Sequence, residues 1–189
     1  MVSFEGQTLS TRKGNIVYLD ELLERAIEKA GEIIAQKNPD LANKDAVARQ
    51  VGVGAVLFYD LYNSRIKDVD FWWDRALAFE GETGPYVQYT HARACSVLAK
   101  SGVSAQEALN NEQWEPEALC NTEAQEVLSL LEGFPQAVRS ACAKNEPCAV
   151  LRHIMALAQA FNRFYFEHRI IPDDQKKTAA NLRLCAAVK

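Results

Sequence analysis

Apolar side chains recur every three or four residues along most of this chain, which is the spacing that places them on one face of an α-helix. The first run covers residues 20–37 and stops at Asn38-Pro39, and the second follows Asn43, a residue type that can cap a helix. Further helical runs are predicted over 85–101, 117–132, 135–144, 147–168 and 175–188. The pattern therefore predicts a mainly α-helical fold, with a helical bundle from Pro85 onward.

Two parts of the chain depart from helical spacing and predict extended structure. Val2–Phe4 and Ile16–Tyr18 are short apolar pieces on either side of a loop, Gly6–Asn15. Residues 66–73 alternate briefly between apolar and polar positions, which is typical of a short strand or of an extended arm packed on helices. A small loop-and-strand element is therefore expected before residue 20.

Glycine and proline mark the predicted breaks between elements. The clearest joint is Gly81–Gly84, followed by Pro85, which suits the first turn of a helix. Gly133 and Pro135 are expected to end one helix and begin the next, because both residues disfavour a helix interior. Residues 103–116 are expected to be a polar stretch between two helices.

Two further glycines, Gly52 and Gly54, lie inside a helical run, where glycine weakens a helix. They predict close packing against a neighbouring element. A phosphate-binding loop is the alternative, and it would need a strand, a turn and a helix around the glycines.

The composition is that of a globular protein with a sizeable core. Apolar residues make up 48% and charged residues 24% of 189 residues, which excludes a largely disordered chain. No apolar run has the length of a membrane span, and the first residues lack the basic start and apolar stretch of a signal peptide. We therefore expect a cytoplasmic protein with no membrane partner.

Charge is unevenly placed along the chain, although the net charge is −4. Residues 103–133 contain seven glutamates and no lysine or arginine, whereas 134–189 contain nine basic and four acidic residues. The acidic total argues against a uniformly basic nucleic-acid binder, and no DNA partner is expected. The basic carboxyl-terminal segment can nevertheless face a polyanion, in which case the acidic stretch should point away from it.

The five cysteines are odd in number and none are spaced Cys-x-x-Cys, which predicts free, buried thiols in a reducing compartment. The three histidines lack ligand spacing with cysteine or acidic residues, so no metal site is predicted. No Ser/His/Asp or Cys/His set can be assembled either.

The loop Ser10–Asn15 combines two hydroxyls, two adjacent cations and a glycine. Arg12 and Lys13 can neutralise phosphate oxygens, arginine as a planar fork and lysine as a point charge. Such a group suits the charge that develops in phosphoryl or adenylyl transfer. A solvated surface turn is the alternative that the spacing leaves open.

Tyr86, Tyr89, Arg93, Ser96 and Lys100 share one face of the helix predicted over 85–101. Two aromatic rings with cations beside them suit an unstacked base and its phosphates. The alternative is that the tyrosines are half-buried core rings.

The helix over 147–168 carries a second candidate face, formed by Arg152, Gln159 and Arg163. It lies opposite a predicted apolar stripe that consists of Val150, Ile154, Leu157, Ala158, Phe161 and Tyr165. The arginines are either a phosphate-contacting face or an ordinary solvated one.

Three stretches resemble the arginyl-tRNA synthetases, a family of class I aminoacyl-tRNA synthetases. The run MVSFEGQTLSTRKGNIVYLDELL resembles their signature-loop region, with Thr8-Leu9-Ser10-Thr11-Arg12 standing where the class has Lys-Met-Ser-Lys-Ser. Residues 51–102 are similar to the junction into the family's helical anticodon-binding domain, and NLRLCAAV to the start of its last helices. The stretch 51–102 is the most specific of the three.

The resemblance implies a domain organisation and an activity. Residues 1–80 would be the end of the class I catalytic domain with a connecting segment, and 81–189 a helical anticodon-binding domain that is incomplete at its carboxyl end. The parent protein would be an arginine–tRNA ligase that uses ATP with Mg²⁺, with arginine and a tRNA accepting arginine as partners.

The resemblance also assigns roles to residues. Ser10, Thr11, Arg12 and Lys13 would be catalytic, with Arg12, Lys13 and Gly14 at the nucleotide. The tRNA-binding residues would be Tyr86, Tyr89, Arg93, Lys100, Arg152 and Arg163.

Two functions from different classes follow from these observations. The first is a part of an arginine–tRNA ligase that is inactive alone, because the family's first signature, arginine pocket and most of its ATP site lie upstream. The second is a stand-alone helical tRNA- or RNA-binding module without catalysis, which would have no need of a basic signature loop.

Overall fold

The computed structural model describes residues 2–10, 14 and 16–189, and within them the chain is mainly helical, as the apolar spacing predicts. The helices are α1 (Leu19–Lys37), α2 (Lys44–Tyr62), α3 (Trp73–Ala76), α4 (Gly84–Ser101), α5 (Ala105–Asn110), α6 (Thr122–Lys144), α7 (Cys148–Glu167) and α8 (Gln175–Val188). A 3₁₀ turn covers Pro116–Leu119. The strands are β1 (Val2–Phe4), β2 (Gln7–Thr8) and β3 (Val69–Phe71).

The chain divides into two compact units. The first contains the residues up to Gln88 together with Glu146–Leu151, and the second contains Tyr89–Asn145 and Arg152–Lys189. The first unit is built on the α1–α2 pair and the sheet, whose buried side chains meet around Phe71 and Trp73. In the second unit, Phe161, Phe164 and Leu184 lie in a core shared by α7 and α8. The predicted domain boundary between residues 80 and 81 stays a prediction.

The strands form one small sheet with β1 in the middle, antiparallel to β2 and parallel to β3. Phe4 of β1 stacks on Phe71 of β3, with ring centroids 5.6 Å apart. The strand predicted within 66–73 is thus confirmed. Ile16–Tyr18 does not join the sheet, because the chain reverses at Glu5-Gly6 and pairs at once through Gln7–Thr8, inside the predicted loop.

Gly52 confirms the prediction of close packing between helices. A Cβ atom at this position would lie 2.6 Å from the carbonyl carbon and oxygen of Ala26 in α1. Gly54 leaves room for a side chain of α4, since a Cβ there would lie 2.5 Å from the side-chain nitrogen of Gln88. Gly52 thus allows α2 to approach the backbone of α1, and Gly54 accommodates the Gln88 amide.

Asn43 precedes α2 as predicted, but its side chain does not cap the helix. Its backbone is left-handed, with φ 59°, and it makes no side-chain cap hydrogen bond. Asparagine tolerates this conformation better than most residues. The residue therefore turns the chain into α2 instead of satisfying its first N–H groups.

Residues 105–110 form a short helix inside the stretch that the sequence predicts only as polar. Glu107 N–H donates to Ser104 Oγ at 3.2 Å, and Ser104 N–H donates to Glu107 Oε2 at 2.8 Å. This reciprocal capping box is a recognisable Ser-x-x-Glu signal. Packing of the buried Ala108 against the core then stabilises a helix that is too short to persist alone.

The predicted break at Gly133 and Pro135 is wrong, because α6 is continuous from Thr122 to Lys144. Proline removes one N–H donor and crowds the preceding turn. Packing against α7 compensates in part: Gly133 leaves room for the His153 ring, whose Cε1 lies 3.3 Å from the glycine's Cβ position. His153 Nε2 also lies 2.7 Å from the carbonyl oxygen of Leu130 and donates to it.

The five cysteines form no disulfide with one another, but the prediction that they are buried holds only for Cys148 and Cys185. Burial raises the pKa of the Cys185 thiol to about 12. Cys120 and Cys142 are exposed, and Cys95 is half-buried.

Across the described part of the chain, every helix is too short or too polar to span a bilayer.

Candidate functional site

Arg93 lies between two tyrosine rings on the surface of the second unit. Its guanidinium carbon is 4.9 Å from the ring centroid of Tyr89 on α4 and 4.7 Å from that of Tyr165 on α7. Both contacts are within the range of cation–π attraction. Tyr89 is 55% exposed and Tyr165 37%, so the rings keep surface available to a ligand. We call Tyr89, Arg93 and Tyr165 the aromatic clamp.

Asn162 and Thr90 orient the clamp through hydrogen bonds on its buried side. Arg93 Nη1 donates to Asn162 Oδ1, and Asn162 Nδ2 donates to Thr90 Oγ1 at 2.8 Å. Thr90 is only 3% exposed, so this chain of contacts ends in the core. The guanidinium plane is therefore held in place before any ligand arrives, which reduces the entropy lost on binding.

The clamp contains two of the predicted tRNA-binding residues, Tyr89 and Arg93. The exposure of Tyr89 is inconsistent with the alternative that it is a core ring. Tyr86 is half-buried and belongs to the first unit, so it is not part of the clamp. Lys100 and Arg152 are exposed on α4 and α7, respectively.

Arg163 pairs with Glu126 of α6, and both side chains are largely exposed. His168 Nε2 likewise lies 3.0 Å from Glu123 Oε2, and this hydrogen bond lowers the pKa of Glu123. The acidic stretch therefore supplies the partner of Arg163, a residue that the sequence places against phosphates, and its orientation toward a bound RNA stays a prediction. An exposed pair of this kind contributes little to stability.

Tyr165 and Asn162 were not among the residues that the sequence predicted for this site. Tyr165 fell in the predicted apolar stripe of α7 because it follows the buried Phe161 by four positions. The tyrosine instead lies at the edge of that stripe, where its ring is stacked on a cation from another helix. A periodic pattern identifies the buried face but not the residues at its border.

The predicted nucleotide loop is described only at Ser10 and Gly14. Thr11, Arg12 and Lys13, with Asn15, lie outside the described residues. Gly14 has φ +70°, a backbone conformation that favours glycine. The contacts of the two predicted cations therefore remain a sequence prediction.

Asp70 holds the hairpin that leads into this loop. Gly6 N–H donates to Asp70 Oδ1 at 3.1 Å, and Trp72 Nε1 donates to Asp70 Oδ2 at 2.7 Å. The Trp72 hydrogen bond, followed by that from Gly6, lowers the pKa of Asp70 below its usual value. The charged form of Asp70 thus links β3 to the β1–β2 turn.

We expect Asp70→Asn to remove part of the acid sensitivity of the first unit. Because the folded-state pKa is lowered, the carboxylate's stabilisation is complete above its ordinary pKa of 3.8 and is lost as pH falls through the folded-state pKa. Urea unfolding followed by tryptophan fluorescence at a series of pH values measures this slope. Asp40→Asn, at an exposed position, is the control that should retain the wild-type slope. An unchanged acid slope in Asp70→Asn would contradict the role of the carboxylate.

Within the described residues, no three or more histidine, cysteine or acidic side chains are grouped so that they could hold a metal ion.

Two family descriptions match this chain. Residues 1–73 match the tRNA synthetases class I (R) catalytic domain, and residues 87–189 match the DALR anticodon binding domain. The second match includes the whole aromatic clamp.

Similar whole proteins are arginine–tRNA ligases. That of Alkaliphilus metalliredigens is 48% identical over 188 residues, which cover 100% of this chain and 32% of the relative. That of Halothermothrix orenii is 50% identical over the same shares of the two chains. The solved structure of Thermus thermophilus arginyl-tRNA synthetase superposes with a TM-score of 0.82 at 30% identity, and covers 99% of this chain and 31% of that one. This chain thus spans about a third of the length of the curated relatives it matches.

Proposed function

We infer that this chain is part of an arginine–tRNA ligase. The chain belongs to the arginyl-tRNA synthetase family, as a carboxyl-terminal region with a DALR anticodon-binding domain. The parent protein would attach arginine to its tRNA with ATP and Mg²⁺. Residues 1–80 would form the end of the catalytic domain and the connecting segment, and 81–189 the helical anticodon-binding domain.

The aromatic clamp is the observation that carries the tRNA-binding function. It lies within the segment that matches the anticodon-binding domain, and it offers two exposed rings around a pre-oriented cation. Unpaired bases of RNA are recognised by stacking on aromatic side chains and guanidinium planes. We therefore propose that Tyr89, Arg93 and Tyr165 contact the anticodon arm, with Lys100, Arg152 and Arg163 on nearby phosphates. Tyr86 stays a sequence prediction for the same arm.

The loop that contains Ser10, Thr11, Arg12, Lys13 and Gly14 is our candidate for the contact with ATP. Its resemblance to the class I signature region and the match of residues 1–73 to the catalytic domain support this role. Arg12 and Lys13 would act on the charge that develops on the phosphates during adenylation.

The 189 residues alone are expected to be inactive in adenylation. Positioning of amino acid, ATP and metal in line supplies most of the acceleration, and one cationic loop does not provide it. The test is arginine-dependent exchange of pyrophosphate into ATP, with the full-length Alkaliphilus metalliredigens relative as the positive control. Exchange above the enzyme-free blank would contradict this prediction.

Arg163 offers a test of the phosphate contacts. We expect Arg163→Ala to weaken binding of a tRNA that accepts arginine and of a non-cognate tRNA alike, and to reduce the salt slope by about 1. Glu126→Gln should strengthen binding of both tRNAs, because it removes the carboxylate that pairs with Arg163. Glu112→Gln, an exposed position in the same acidic stretch, is the charge-matched control. Equal affinities for Arg163→Ala and wild type would remove this residue from the site.

A further inference from the structure

A cleft of about 370 Å³ opens in the second unit beside the first turn of α8. It includes no residue of the aromatic clamp. Its volume is near the lower end of the range for pockets that bind small molecules. Among its lining residues are Glu115, Glu117, His168, Arg169, Lys177 and Asn181.

Two carboxylates of the cleft have no protein partner. Glu115 is half-buried and Glu117 is exposed, and neither side chain has a hydrogen bond or ion pair with any part of the chain that the structure describes. A carboxylate without a protein partner at the edge of a cleft is available to pair with a cationic ligand.

Asn181 is a second, independent indication of a ligand. The residue is 7% exposed, and its Nδ2 donates to the carbonyl oxygens of Arg169 and Ile170 at 3.4 and 3.1 Å. These two bonds fix the amide plane. Its Oδ1 has no partner within the described residues and is left to the cleft that Asn181 lines. A buried amide with one bonded and one unbonded end is suited to accept a hydrogen bond from a ligand.

The lining charges restrict the class of ligand. Glu115 and Glu117 would repel a polyphosphate, and Arg169 and Lys177 would repel a polyamine. An apolar molecule would desolvate all four charged groups without replacing their hydration. A small molecule with one ammonium and one carboxylate places a positive charge against the two glutamates and a negative charge against Arg169 and Lys177.

We propose that this cleft binds a free α-amino acid. The ammonium lies on Glu115 and Asn181 Oδ1, with Glu117 beside them, and the carboxylate lies on Lys177 and Arg169. Arg169 is available for this contact because its pair with Asp173 is long, 3.7 Å, and exposed. The cleft shares no residue with the proposed tRNA surface, so its test is independent of the proposed function.

The test uses the 189-residue chain labelled with ¹⁵N and three probes: L-alanine, N-acetyl-L-alanine and L-alaninamide. L-Alanine should shift the Asn181 side-chain amide signals saturably, with a dissociation constant of about 1–10 mM. The acetylated probe lacks the ammonium and the amide probe lacks the carboxylate, so each should bind at least tenfold more weakly. Equal binding of either derivative, or no saturable shift with L-alanine up to about 50 mM, would overturn the proposal.

Paired variants locate the binding site. Glu115→Gln and Lys177→Gln should each weaken L-alanine binding at least tenfold. Their controls, Glu112→Gln and Lys176→Gln, change the same charges on neighbouring residues that do not line the cleft, and should bind as wild type. Unchanged affinity in both cleft variants would also overturn the proposal.

Discussion

Tyr89→Ala is expected to weaken binding of a tRNA that accepts arginine by roughly 5- to 150-fold, which corresponds to the 1–3 kcal/mol that one stacked base contributes. Tyr165→Ala should have an effect of the same order, because its ring contacts the same guanidinium. Both losses should be larger for this tRNA than for a non-cognate one. Filter binding or fluorescence anisotropy at fixed salt measures the affinities.

Tyr18→Ala is the matched control for the clamp. Tyr18 is also a largely exposed tyrosine, at 59%, but it lies in the first unit and outside the clamp. Its removal should leave tRNA affinity unchanged. Melting temperatures of all three variants show whether folding is affected. A stable Tyr89→Ala variant with wild-type affinity would remove the clamp from the proposed binding surface.

Gly52→Ala is expected to destabilise the first unit by about 2–3 kcal/mol, the cost of overpacking a site that cannot relax. The added methyl group would lie 2.6 Å from backbone atoms of Ala26, and backbone inside a helix cannot move aside as a flexible side chain can. Hydrogen exchange of peptides from α1 and α2, read by mass spectrometry, measures the local opening free energy.

Gly31→Ala is the matched control for Gly52→Ala, since both glycines lie inside helices of the same pair. A Cβ atom at Gly31 would meet the Cβ of Ala48 at 3.7 Å, which is an ordinary contact. This variant should stabilise the unit by about 0.5–1 kcal/mol, because alanine is the better helix former. If both variants slowed exchange equally, Gly52 would not be the point of close approach.

Only part of the aromatic clamp could be predicted from the sequence. Tyr89 and Arg93 are four residues apart on a predicted helix, so their shared face follows from helical geometry alone. Tyr165 is far away in the chain, and its contact depends on how α4 and α7 pack. The contact of Arg163 also depends on packing, because its partner Glu126 belongs to the acidic stretch 103–133 and not to the basic segment that contains Arg163.

Some helix boundaries could be predicted from the sequence and others could not. Periodic apolar spacing was sufficient for α1, α4 and α7, because each buries one face, and also for α8, which is buried on all sides in its second half. It failed at Pro135, where contacts from His153 to α6 support a continuous helix despite residues that disfavour one.

What the sequence determined by itself is local: the helical spacing, the exposed loops and the motifs that resemble the synthetase family, since each depends on neighbouring residues. Only the tertiary structure decided which residues from distant elements meet, such as Tyr165 with Arg93 and Asp70 with Gly6. The physical reason is that such contacts depend on the packing of whole helices and strands, and that packing sums many small terms that no short stretch of sequence contains.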